Sequence, residues 1–364
     1  MTNEEKIGQL FMVQAYSTND TLNEKLVEEL IQKYHAGNLI FMQGTPKRQA
    51  ELTNKYQALS KYPLLIAIDA EWGLDMRLQN SFRYPWNMAL GAIQDNLLIE
   101  KFGEQLGKHS KRLGIHINFA PVVDININPK NPIIGNRSFG ENKYNVTDKA
   151  IAFTRGMQRF GVLANAKHFP GHGDTAADSH HTLPVINFDA TRLDTLELYP
   201  YYKLFDKNLA SVMTAHLSIP KLEPNKSLPS SLSHKITTGL LKEKMGFKGL
   251  IITDGLNMKA AADFATSKEI NLEAILAGND VLLIPHEVPE TMDYFLKAIK
   301  DKKLTIERLD ESVSKILKAK YWAGLQNYKP IELQNLHEDL NTKTDELLHR
   351  ELVKNSITVI KNEE

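Results

Sequence analysis

Two stretches of this sequence bring together residue types that can move protons and form covalent bonds. The first, KHFPGHGDTAADSHH (167–181), packs four histidines, two aspartates, a lysine and two glycines into fifteen positions. The second is Asp254 in GLIITDG (249–255). A carboxylate held against a substrate can attack an electrophilic carbon, and an imidazole can exchange protons near neutrality. Asp178 and His180 stand two apart, and in an extended or turning loop that spacing lets the carboxylate accept a hydrogen bond from the ring. Such a bond orients the imidazole and raises its pKa, which makes it a better proton donor at neutral pH. Gly171 and Gly173 mark a backbone that turns sharply or moves. A metal site is the competing chemistry, since His168, His172, Asp174, Asp178 and His180 are all possible ligands. No established ligand spacing such as HExxH is present, which tells against it.

These residues need a frame, and the hydrophobic pattern supplies one. Short apolar, β-branched runs occur at 10–15, 37–42, 64–69, 115–125, 162–169, 210–216, 249–255 and 280–285. Amphipathic stretches of helical period separate them, among them 21–35, 47–62, 147–160 and 270–279. This alternation predicts parallel strands buried on both faces and joined by crossover helices. A doubly wound sheet and a barrel both satisfy it, but eight strands over roughly 250 to 280 residues favour an α/β fold of the (β/α)8 TIM-like kind. Residues 290–327 read as helix and 328–345 as a polar connector. The last segment, HRELVKNSITVIKNEE, runs from helix into a strand-like ITVIK. The expected organisation is a barrel domain over 1–327, then a tail over 328–364. That tail ends in a docked strand or opens a truncated second domain.

Several polar residues fall at or just past the C-terminal ends of the strands: Asp69, Asp124, Lys167, His168, His216 and Asp254. Catalytic residues gather at that rim in barrels of this kind. Buried carboxylates are unfavourable unless paired, so a ring of them implies a polar pocket rather than a set of helix caps.

The segment KHFPGHGDTAADSH, followed by LP, resembles the signature of family 3 glycoside hydrolases of the bacterial β-N-acetylglucosaminidase type. The likeness extends through IAIDAEWGLDMR (66–77), FAPVVDIN (119–126), GNRSFG (135–140), TAH (214–216), SLPSSLS (227–233) and GFKGLIITDGLNMKA (246–260). It implies a (β/α)8 barrel, Asp254 as nucleophile, and His180 of the DSH triplet as acid/base with Asp178 as its partner. It places Asp69, Arg77, Arg137, Lys167 and His168 on the hydroxyl groups of the sugar. It further implies a retaining exo-acting enzyme that needs no cofactor and removes terminal N-acetylglucosamine, with a muropeptide as one form of its small carbohydrate substrate. A β-glucosidase of the same family is the nearest alternative. The sequence departs from the usual DQEGGRV after the third strand, with Trp72 in place of a glycine and Leu74 in place of an arginine, so the rim of the pocket is expected to differ.

Composition sets the outer limits. The 364 residues carry 44 basic and 44 acidic side chains, which leaves no excess positive charge to hold nucleic acid. No apolar run approaches the roughly 20 residues needed for a membrane span. The start, MTNEEKIGQLF, lacks the parts of a signal peptide. That reading puts the chain as given in the cytoplasm, or in a periplasmic or extracytoplasmic compartment if an upstream signal was removed. With no cysteine, disulfides and thiolate metal sites are excluded.

Overall fold

The computed structural model describes residues 1–175 and 182–359. Eight parallel strands form one sheet: β1 (Phe11–Ser17), β2 (Asn38–Gly44), β3 (Leu65–Ile68), β4 (Ile117–Asn118), β5 (Leu163–Phe169), β6 (Ser211–Thr214), β7 (Leu250–Thr253) and β8 (Leu282–Leu283). Neighbours in sequence are neighbours in the sheet, and β8 pairs with β1. A bridge between Ile252 and Val281 joins β7 to the chain entering β8 and closes the ring. The fold is the (β/α)8 TIM-like barrel that the strand count predicts.

The strands are apolar on both faces because each lies between the barrel interior and an outer helix, and every residue of β5 is buried. The helices start where side-chain oxygens satisfy their first N–H groups. Asp20 caps Thr21–Tyr34, Thr45 caps Pro46–Leu59, Asp95 caps Asn96–Arg112, and Asn142 caps Lys143–Gln158. The crossover from β6 to β7 is a wider i→i+5 helix, Lys235–Lys244.

Three expectations need correction. Regular pairing in β4 covers only Ile117–Asn118 rather than 115–125, because Pro121 has no N–H to continue the ladder. The chain still runs beside β5, with Val123 N–H donating to Lys167 O at 2.9 Å, and this delivers Asp124 to the rim. The helix expected over 290–327 is two helices, Val288–Lys300 and Ile306–Trp322. Lys302 turns the chain at φ 59°, Leu304 buries itself in the core, and Thr305 caps the second helix. The tail is more ordered than a connector. It holds a short helix, Leu336–Leu340, and a longer one, Lys343–Ser356; among the described residues Ile357–Val359 pairs with no strand, and the rest of the strand-like ITVIK lies outside them. No helix among the described residues is long and apolar enough to cross a membrane.

Candidate active site

Each of the six sequence-predicted site residues that the structure describes lines one cavity of about 290 Å³ at the C-terminal end of the barrel. Asp69, Arg77, Arg137, Lys167, His168 and Asp254 share its wall with His172, Met76, Ile133, Met213 and Leu283. Asp178 and His180 lie outside the described residues.

The strands explain why these groups meet. β3 ends at Ile68, so Asp69 and Glu71 follow on its extended exit, two apart and on one side. Lys167 and His168 are the fifth and sixth residues of β5, and Asp254 comes directly after β7. Lys167 is buried rather than solvated, and its Nζ donates to Asp69 Oδ1 and lies equally close to Glu71 Oε1, both at 2.8 Å. Asp69 Oδ2 accepts from Arg77 Nη2 at 2.6 Å. Glu71 accepts two-pronged from Arg137, with Nη2 at 2.8 Å and Nε at 3.0 Å from its oxygens. Two carboxylates thus alternate with three cations.

This pairing offsets what burial would do. Burial alone would raise the pKa of Asp69, but Lys167 and Arg77 outweigh it and hold the carboxyl far below its usual range. Glu71, wholly enclosed, is likewise pulled from an ordinary value down to about 2, with Arg137 and Lys167 overcoming burial. Arg137 is both a cavity wall and half of an ion pair.

A second chain of contacts fixes His168. Its Nδ1 lies 2.7 Å from Asp124 Oδ2, and its Nε2 lies 3.3 Å from Arg137 Nη2. A guanidinium can only donate, so in the neutral ring Nε2 is the acceptor and Nδ1 carries the proton toward Asp124. Asp124 Oδ1 also accepts from the His172 backbone N–H at 2.6 Å, which ties the first turn of the histidine-rich loop to the rim. The His172 ring packs edge-on against His168, and its Nδ1 is 2.7 Å from Thr175 Oγ1. Among the described residues no three His, Asp or Glu side chains cluster as a metal site would require.

Asp254 is simpler. Its Oδ1 accepts from the Gly255 N–H at 2.8 Å, and among the described residues no group donates to Oδ2. It caps no helix, since the next one begins at Lys259. Burial would raise its pKa, but His168, His216, the Gly255 N–H and Lys167 more than compensate and hold it below the usual aspartate value. An ionised carboxylate with an uncommitted oxygen beside a cage of donors can act as a nucleophile on a polyhydroxylated substrate. His216 supports the same turn: its Nε2 is 3.0 Å from Gly255 O and its Nδ1 is 2.6 Å from Ser231 Oγ.

Glu71 is the residue that sequence reasoning missed. Its signal was available, as a second carboxylate two positions after Asp69 with Lys167 and Arg137 both in need of counter-ions. Leu74, where the resembling pattern has an arginine, is buried in the core, and Arg77 supplies the pocket cation. Trp72 stacks on Trp86 with ring centroids 4.0 Å apart.

A closed barrel with a carboxylate after β7 and a compensated polar cage on β3 and β5 has the form of a polar-ligand site at the catalytic rim. The profile of the glycosyl hydrolase family 3 N-terminal domain matches residues 2–319, and the chain belongs to that family. It is 32% identical over 369 residues to β-hexosaminidase A of Pseudoalteromonas piscicida, covering 93% of this chain and 61% of that protein. It is 29% identical over 371 residues to the β-N-acetylglucosaminidase/β-glucosidase of Cellulomonas fimi, covering 100% of this chain and 65% of that one. The chain therefore spans less than two thirds of the length of these two relatives. Among solved structures, the family 3 β-N-acetylglucosaminidase of Paenibacillus sp. str. FPU-7 superimposes with a TM-score of 0.92 at 35% identity, covering 100% of this chain and 70% of that one.

Proposed function

We propose that the chain is a retaining exo-β-N-acetylglucosaminidase, with Asp254 as the nucleophile that forms a glycosyl-enzyme intermediate. The observation that carries this reading is Asp254 itself, ionised, with no donor to its second oxygen among the described residues, in the same cavity as Asp69, Arg77, Lys167, Arg137 and His168. The cage donates to and accepts from sugar hydroxyls at fixed positions, which sets the anomeric carbon against the carboxylate. Attack by Oδ2 forms the ester bond as the glycosidic bond breaks, and the leaving oxygen takes a proton. The likeness of the DSH triplet to the family pattern assigns that proton to His180, oriented by Asp178. The same histidine then deprotonates the water that releases the sugar. The names of the Pseudoalteromonas and Paenibacillus relatives support the acetylated sugar. The sequence resemblance extends the substrate to peptidoglycan fragments in which N-acetylglucosamine is joined to a muramic acid derivative.

The test is release of p-nitrophenol from its N-acetyl-β-glucosaminide by wild type, Asp254→Asn and His180→Ala. Asp254→Asn should lose about 10³-fold or more in kcat, and the first product seen by NMR should be the β-anomer. Full activity in Asp254→Asn, or an α-anomer first, would remove the mechanism. A β-glucosidase is the second reading, favoured by the dual name of the Cellulomonas relative. Faster cleavage of the glucoside than of the N-acetylglucosaminide would establish it in place of the first.

A further inference from the structure

The family match ends at residue 319, yet the chain beyond it reaches the loop that carries half of the polar cage. It starts at the N-terminal end of the barrel, where Lys111 donates to Ala323 O at 3.1 Å and Asn54 holds both the N–H and the carbonyl of Ile331 at 2.7 and 2.9 Å. Arg112 then grips the ascending chain, donating to Glu332 O and Gln334 O at 2.7 Å each. At the other end of the barrel, Asn341 donates to Asn80 O at 3.1 Å. The tail therefore climbs the outside of the barrel and meets the loop after β3.

The meeting point is a buried polar node. Asp345 has no solvent exposure and accepts from Tyr84 Oη at 2.6 Å, while His109 Nε2 stands 3.1 Å from the same oxygen. Its other oxygen accepts from the N–H and hydroxyl of Thr342, which fixes the carboxylate at the first turn of Lys343–Ser356. Tyr84 also donates its backbone N–H to Trp72 O at 2.9 Å, one residue from Glu71. The outgoing leg of this loop is held separately, through Gly44 N–H to Arg77 O at 3.1 Å. Between these two anchors the loop carries one short helical turn, Leu74–Met76, with Leu74 and Leu78 buried in the core and Glu71 and Arg77 turned into the cavity cage.

We propose that Tyr84 and Asp345 are positioning residues that lock the return leg of the β3 loop to the C-terminal helix and so hold Glu71 and Arg77 in the cavity. The inference rests on that cavity being the sugar site proposed above. Neither residue touches the cavity wall; each acts through the backbone between Trp72 and Tyr84. A misplacement of about 1 Å in a charged cage is enough to lower turnover strongly, which is why so remote a contact matters.

The experiment compares Tyr84→Phe, which removes one hydroxyl, and Asp345→Asn with Leu352→Ala, which opens a hole under the same docked helix. Leu352 is fully buried and makes no part of the node. Each full-length variant is read by Tm, by hydrogen exchange over residues 70–77, and by KM and kcat on the p-nitrophenyl sugar. Tyr84→Phe and Asp345→Asn should speed exchange over 70–77 by about tenfold and raise KM by about three- to tenfold, with kcat changed less. Leu352→Ala should lower Tm at least as much and leave KM and that exchange unaltered. Wild-type exchange in Tyr84→Phe, or changes in all three variants that simply track Tm, would overturn the proposal. If wild type cleaves no glycoside, the sugar reading fails by itself, and the exchange data still decide whether the node fixes the loop.

Discussion

At the C-terminal end of the barrel, Asp69 and Glu71 are enclosed by Lys167, Arg77 and Arg137, and every one of these charges faces an opposite one. At the N-terminal end a single lysine is buried just as deeply, but there Lys320 Nζ has Gln9 Oε1 at 2.5 Å and, among the described residues, no carboxylate. Burial lowers its pKa from 10.5 to about 7, so near neutrality it is poised to shed its charge. His116, at the foot of β4, responds in the same way: burial, then Lys111 and Lys320, push it down to about 3, and its Nδ1 accepts from the Ile66 N–H. The cage keeps its charges by pairing them, as Asp280 does with Lys315 at the N-terminal end, whereas Lys320 and His116 have no carboxylate among the described residues and burial drives them toward their neutral forms. Only the first arrangement offers fixed donors and acceptors to a ligand without a reorganisation step, which is the physical sense in which the cage is built for chemistry.

The comparison is broken most severely by removing a charge from the paired end. Asp69→Asn should lower kcat/KM by about 100- to 1,000-fold, because both Arg77 and Lys167 lose their shared anchor at once. Steady-state kinetics on the p-nitrophenyl sugar check this, and a loss below about threefold would show that the cage is not preorganised around Asp69. Glu71→Gln keeps the volume and removes the charge between Lys167 and Arg137. Its effect should be smaller, about 10- to 100-fold in kcat/KM and carried mostly by KM, since Asp69 still holds Lys167. A fall in kcat at constant KM would assign Glu71 to the reacting atoms instead.

The paired end was largely legible in the sequence, for a reason that does not extend to the rest. Asp69, Lys167, His168 and Asp254 sit at strand ends, and an apolar run that terminates in a charge is visible without a structure. Arg77 and Arg137 come from loops, and they were found only through motif likeness. Glu71 was passed over because its importance lies in its two partners, 66 and 96 positions further along the chain, and distant pairing leaves no local pattern. The eight strands were readable for the same reason as the rim. The break at Asp301–Thr305 was not, since DKKLT is polar and lacks glycine and proline, and what stops the helix is Leu304 turning into the core. The node at Asp345 was hidden too: an aspartate near the start of a helix looks like an ordinary solvated first-turn residue.

The buried Lys320 predicts a pH dependence of stability with a definite sign. Lys320 has a folded pKa of about 7 against an ordinary value of 10.5, so the folded chain binds this proton less readily than the unfolded one. Between those two values the unfolded state carries the additional proton, and stability rises with pH by up to about 1.4 kcal/mol per unit. Below about pH 7 both states are protonated and the full penalty of the buried charge persists. Lys320→Met removes the titration and leaves Gln9 Oε1 without its donor, a loss of about 1–3 kcal/mol that works against the gain. The slope is therefore the cleaner quantity than the stability at any one pH. Urea midpoints measured from pH 6 to 9 should climb in wild type and flatten in Lys320→Met, while Lys318→Met on the solvent side of the same helix keeps the wild-type slope. An unchanged slope in Lys320→Met would mean that this lysine keeps its proton through that range and holds its charge without a carboxylate partner.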